Sequence, residues 1–152
     1  MPIRVYADTS VFGGVFDPEF QKPSRTFFEQ VRQGRFQLVI SDTVDEEIIR
    51  APLQVRAWYE QHLPYAEAVL VDDAAAALRD AYLKAGIVTP QWAADAEHVA
   101  TASVQRCRLI VSWNFKHIVH FDKIPLYNGV NLIHGYDNLS INSPAEVIDY
   151  ED

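Results

Sequence analysis

Short runs of β-branched and aromatic residues alternate along this chain with longer stretches of helical spacing. Ile3-Arg4-Val5-Tyr6-Ala7 predicts a strand that stops at Asp8-Thr9-Ser10, a turn or helix-capping cluster. Gly13-Gly14 reads as a loop. A helix then starts near Pro23-Ser24, carries Phe27, Phe28 and Val31 at helical spacing and ends at Gly34. Phe36 to Ile40 predicts a second strand, with Ser41-Asp42 capping a short helix marked by Val44, Ile48 and Ile49 that Pro52 terminates. Residues 53–63 predict another helix, closed by Pro64. Val69-Leu70-Val71 reads as a third strand, followed by an alanine-rich helix from Asp73 to Ala85 that Gly86 stops. A helix over Asp95 to Arg106 leads to a fourth strand, Leu109-Ile110-Val111, which ends at Ser112-Trp113-Asn114. In the less regular part, residues 119–152, Leu132-Ile133 reads as a fifth strand and Ser143-Pro144-Ala145-Glu146 opens a last short helix.

Strands that alternate with helices imply βαβ units, hence an α/β fold with a mainly parallel sheet between two helical layers. The 152 residues suit one domain, and a 49% hydrophobic content suffices for its core. The formal charge of −8 argues against a protein that coats DNA through a basic face, though not against an enzyme that meets phosphates through a bound cation. Cys107 is the single cysteine, so neither an intrachain disulfide nor a cysteine zinc cluster is available. With no apolar run of membrane-spanning length and no secretion-like N-terminus, the expectation is a soluble cytoplasmic protein.

In a parallel sheet, ligands collect beyond the carboxyl ends of the strands. Asp8-Thr9-Ser10, the segment from Asp42 to Glu47, and Ser112-Trp113-Asn114 all fall there, and Asp95 enters from the first turn of the helix before the fourth strand. Asp8, one of Glu46 or Glu47, Asp95 and Asn114 can therefore converge. Each also has a plainer role: a turn cap for Asp8, solvated first-turn acids for the glutamates and Asp95, a turn residue for Asn114. Oxygen ligands without cysteine suit a hard cation, Mg²⁺ or Mn²⁺. Three clustered carboxylates repel one another, which raises at least one pKa and makes cation dependence the expectation.

The segments Asp8-Thr9-Ser10-Val11-Phe12, Ile40-Ser41 leading to Glu47-Ile48, Asp95 to Ala102, and Ile110 to Phe115 resemble, in order, the successive motifs of PIN domains. This ribonuclease fold includes the VapC toxins of bacterial toxin–antitoxin pairs. The resemblance implies a five-stranded parallel sheet, an acidic cluster holding one or two divalent cations, cleavage of single-stranded RNA, a small antitoxin partner and frequently a homodimer. Residue by residue, it makes Asp8, Glu47 and Asp95 the first three acidic positions and metal ligands. It puts Asn114 where many members carry aspartate, and gives Thr9 or Ser10, together with Ser112, supporting hydroxyl roles. Asn114 lowers the formal charge of the site from about −4 to about −3, which weakens a second metal. A further departure is Phe115-Lys116-His117-Ile118, where toxin-like members often place another acid.

Candidate RNA contacts are Lys116, two residues past Asn114, and Arg25; Arg32 and Arg35 read better as an ordinary solvated helix face. Trp113 suits either base stacking or packing beside the strand end. His98, one helical turn after Asp95, is expected to hydrogen-bond beside the acidic cluster. The competing reading is a PIN-like RNA- or protein-binding module with weak or lost cleavage. A dehalogenase fits less well, since Ser10 stands where it places its second aspartate. A receiver fits less well for want of an acidic pair near the first strand and a clear late lysine. A dinucleotide-binding fold is weaker still, because no Gly-x-Gly-x-x-Gly follows Ile3 to Ala7.

Overall fold

Strand β1 (Ile3–Ala7) is the centre of the molecule, and its Val5, Tyr6 and Ala7 are wholly buried although successive side chains point to opposite faces. Both faces of the sheet are therefore covered, as a parallel sheet requires. The computed structural model describes residues 1–148. In it, β2 (Phe36–Ser41), β3 (Ala66–Val69), β4 (Leu109–Val111) and β5 (Ser140–Asn142) join β1 in one all-parallel sheet of order β3-β2-β1-β4-β5. The helices are α1 (Thr9–Gly14), α2 (Gln21–Arg32), α3 (Asp42–Ile48), α4 (Leu53–His62), α5 (Asp73–Lys84), α6 (Ala93–Val104), α7 (Ile124–Ile133) and α8 (Pro144–Val147).

Aromatic packing seats the helices. Phe12 of α1 lies 5.0 Å, centroid to centroid, from both Phe28 of α2 and Tyr59 of α4. On α5 and α7, Tyr82 and Tyr127 meet edge to face at 4.9 Å, and the Tyr82 hydroxyl donates to Asn131. Asn131 in turn donates to Ser103 Oγ of α6 at 2.9 Å, so a buried polar group on α7 has its partners.

Three sequence expectations shift. The third strand is Ala66–Val69 rather than residues 69–71, because β2 ends at Ser41, which pairs with Val69. Beyond that point the Val71 amide donates to Asp42 Oδ1 at 3.0 Å, and the chain leaves the sheet. Gly13-Gly14 is helical, not a loop. A Cβ on Gly14 would stand 2.6 Å from both Ser24 Oγ and Trp113 Nε1, so glycine is there for close approach. Leu132-Ile133 is not a strand: the pair ends α7 and is 77% and 81% exposed, and the fifth strand is Ser140–Asn142. The inward face of α7 is Tyr127 and Asn131, four residues apart, with Pro125 in its first turn. The last short helix does form, with the Ser143–Glu146 capping box in place.

Candidate functional site

The strand order turns at β1, which has β2 on one side and β4 on the other, and a crevice opens beyond their carboxyl ends. Asp8 follows β1 directly and is 4% exposed. Its Oδ1 accepts from Ser10 Oγ at 2.6 Å and its Oδ2 from Ser112 Oγ at 2.7 Å. The same two hydroxyls accept the backbone amides of Trp113 (2.8 Å, on Ser10) and Asn114 (2.9 Å, on Ser112). The serines thus fasten the end of β4 to the end of β1 and fix both carboxylate oxygens. Burial pushes the Asp8 carboxyl above its ordinary range, against the His98 charge and the two serine bonds, and the Glu47 charge adds to the rise.

Helix α3 supplies Glu47, while its neighbour Glu46 faces solvent. Glu47 Oε1 accepts from Thr9 Oγ1 at 2.7 Å and from His98 Nε2 at 2.6 Å. The other His98 nitrogen, Nδ1, is 2.7 Å from the buried Tyr6 hydroxyl, which also meets Ser41 Oγ at 2.7 Å. His98 is 2% exposed, and burial alone would lower its pKa. The Glu47 hydrogen bond and the charges of Asp8, Glu47 and Asp95 outweigh that and raise it. Burial would likewise raise Glu47, but the bonds from His98 and Thr9 bring it below its ordinary value.

Asp95 lies in the first turn of α6, where carboxylates are favoured, and is half-buried. Burial raises its pKa, with the Asn114 amide hydrogen bond and the nearby His117 and His98 opposing and Glu47 reinforcing. Asn114 Oδ1 accepts the His117 amide at 2.9 Å. Asp8, Glu47 and Asp95 thus share one electrostatic neighbourhood with His98 at its middle. Burial contributes more to the two raised carboxyls than mutual repulsion does. A cleft of about 480 Å³ opens on this cluster, lined by Glu47, Asp95, Asn114, Lys116 and His117 together with Trp92.

The remaining sequence candidates divide. Lys116 lines the cleft and is exposed. Trp113 stacks on Phe20 at 4.2 Å and donates Nε1 to Ser24 Oγ at 2.8 Å, so its ring is committed to packing. Arg25 is exposed on α2 and donates Nε to the Val15 carbonyl at 3.2 Å. Sequence reading missed Tyr6, which looks like any core strand residue. It also missed Trp92, which sits in a 3₁₀ turn (Pro90–Trp92) with no periodic signal.

Among the described residues, no three His, Cys, Asp or Glu side chains are gathered tightly enough to ligate one ion directly. Mg²⁺ usually keeps several waters and takes only one or two carboxylates, so this donor set of carboxylate and amide oxygens, without thiolate, fits a hydrated hard cation. No helix among the described residues is long and apolar enough to cross a membrane. Set against known proteins, the chain matches no family model and no curated protein.

Proposed function

We propose that this chain is a cytoplasmic PIN-type endoribonuclease that hydrolyses phosphodiester bonds of single-stranded RNA with Mg²⁺ or Mn²⁺. In this reading it acts as the toxin of a type II toxin–antitoxin pair, with a small antitoxin and a second copy of itself as partners. The observation that supports the reading is that Asp8 and Asp95, from separate elements, each feel the charges of Glu47 and His98 beyond the strand ends where the sheet order turns. Glu47 and Asp95, with Asp8 behind them, would hold a hydrated cation mainly through its waters, and Asn114 would assist beside Asp95. Such a cation, when bound, would supply water activation and neutralise charge developing on the phosphate. Asp95, in the first turn of α6 and lining the cleft, would be the carboxylate placed to take a proton from the attacking water. Ser10 and Ser112 keep Asp8 oriented, and His98 holds its proton on Glu47.

The test is cleavage of single-stranded RNA with and without Mn²⁺, repeated on Asp8→Asn. Mn²⁺-dependent cutting that the variant loses supports the reading; equal cutting by both proteins, or none by either, defeats it. The binding-module reading draws on Glu47, whose Oε1 is already engaged by His98 and Thr9. It requires RNA binding that responds little to the cation.

A further inference from the structure

His117 is 8% exposed, and neither of its ring nitrogens has a hydrogen-bond partner among the described residues. Native interiors rarely leave polar side-chain atoms in that condition. The imidazole lies against the Trp92 indole, with centroids 4.7 Å apart and planes 28° apart. Lys116 Nζ stands 5.4 Å from the centroid of the same indole. All three side chains line the same cleft as Asp95, Glu47 and Asn114. The cleft therefore combines acidic groups with an aromatic and cationic set. His117 rests on the loop after β4 and Trp92 on the turn before α6.

We propose that Trp92, His117 and Lys116 form a nucleotide subsite beside the carboxylate cluster, with the base stacked on Trp92 and the phosphate held by Lys116 and His117. It rests on the RNA reading above and names the part of the substrate that this set receives. An indole stacks any base, so the subsite grips RNA without choosing sequence. Lys116 has only the indole face to leave, a weak attachment at an exposed site, when a phosphate arrives. The unpartnered ring nitrogens of His117 supply a further donor for that phosphate. Glu47 and Asp95 line the same cleft and repel a phosphate, a repulsion that Lys116 and His117 must outweigh.

Adenosine 5′-monophosphate tests this without any bond for the protein to cut. Its binding is followed by calorimetry and by the indole N–H and imidazole signals in NMR spectra, with adenosine and inorganic phosphate as separate arms. The wild type is expected to bind the nucleotide more tightly than either fragment, shifting the signals of Trp92 and His117. Trp92→Ala loses at least tenfold in nucleotide affinity but not in phosphate affinity. Lys116→Ala, at an exposed position, loses about fivefold for both, and His117→Asn does the same. Failure of the wild type to bind, or equal binding by Trp92→Ala, overturns the subsite. Mn²⁺-dependent RNA cutting is scored separately on the same proteins. Cutting that persists undiminished in Trp92→Ala removes the subsite and leaves the nuclease standing. Nucleotide binding without any cutting removes the nuclease and keeps the subsite.

Discussion

His98 Nε2 lies 2.6 Å from Glu47 Oε1, and the imidazole, 2% exposed, is enclosed by the charges of Asp8, Glu47 and Asp95. The three carboxylates favour a proton on His98, and when it carries one it offsets part of the repulsion among the acids. The pair holds Glu47 in place and leaves its second oxygen without a hydrogen-bond partner among the described residues.

The pH dependence of that pair has a definite sign. His98 is raised from 6.5, so its stabilisation is complete below about pH 6.5 and is lost as pH rises through the elevated value. Glu47 is lowered from 4.5, so its share is present above about pH 4.5 and disappears as pH falls through the depressed value. Glu47→Gln should cost about 1 kcal/mol at pH 6, a charge-assisted bond discounted for the partly exposed carboxylate. Urea unfolding of both proteins at pH 6 and pH 9 should show the deficit shrinking at the higher pH. A deficit equal at both would show that His98 does not change its charge between pH 6 and pH 9 in the folded protein.

Asn114→Asp restores a full set of carboxylates around the proposed cation. The added charge should tighten Mn²⁺ binding about tenfold, or ~1.4 kcal/mol. In EDTA the same change should lower the melting temperature, because a carboxylate replaces the amide that now hydrogen-bonds Asp95. Calorimetry and thermal melts with and without Mn²⁺ check both halves. Unchanged Mn²⁺ affinity would place the ion elsewhere.

Gly14→Ala forces a methyl group to 2.6 Å from Ser24 Oγ and Trp113 Nε1, atoms that are hydrogen-bonded to each other at 2.8 Å. Overpacking of this kind costs about 1–3 kcal/mol. Denaturant melts should register that loss, and Trp113 emission should shift as its indole N–H is displaced. A variant as stable as the wild type would mean that α1 slides away without penalty.

Leu132 and Ile141 should respond oppositely to truncation. Leu132→Ser, on the outer face of α7, should stay within about 0.5 kcal/mol of the wild type. Ile141→Ala, 5% exposed in β5, should lose about 2–4 kcal/mol. A large loss at Leu132 would contradict the helical assignment of that segment.

Much of the architecture is legible because β1, β2 and β4 are short apolar runs flanked by caps, and the alternation with helices dictates parallel pairing. Leu132-Ile133 misleads because adjacent apolar residues look like a buried strand, whereas the inward side of α7 includes a polar Asn131 that only its Tyr82 and Ser103 partners make tolerable. The β3 boundary is set by the length of its neighbour β2, a pairing that no local signal in residues 69–71 contains. At the site, Asp8, Asp95 and Asn114 were marked by their positions after strands or in a first helical turn. The choice of Glu47 over Glu46 needed either the family resemblance or the helix in three dimensions. Trp92 and the unpartnered His117 were hidden because a contact between the turn before α6 and the loop after β4 has no periodicity to announce it.

The bond from Ser112 to Asp8 spans 104 positions of sequence, and its formation depends on the last residues of β4 reaching the first strand. During synthesis the leading acid, its threonine and Glu47 emerge long before the hydroxyl and the amide that complete their surroundings. A growing polypeptide is consequently without these surroundings until Ser112 and the residues after it have left the ribosome. Loop closure over so long a distance also makes docking of β4 later than the pairing of β1 with β2.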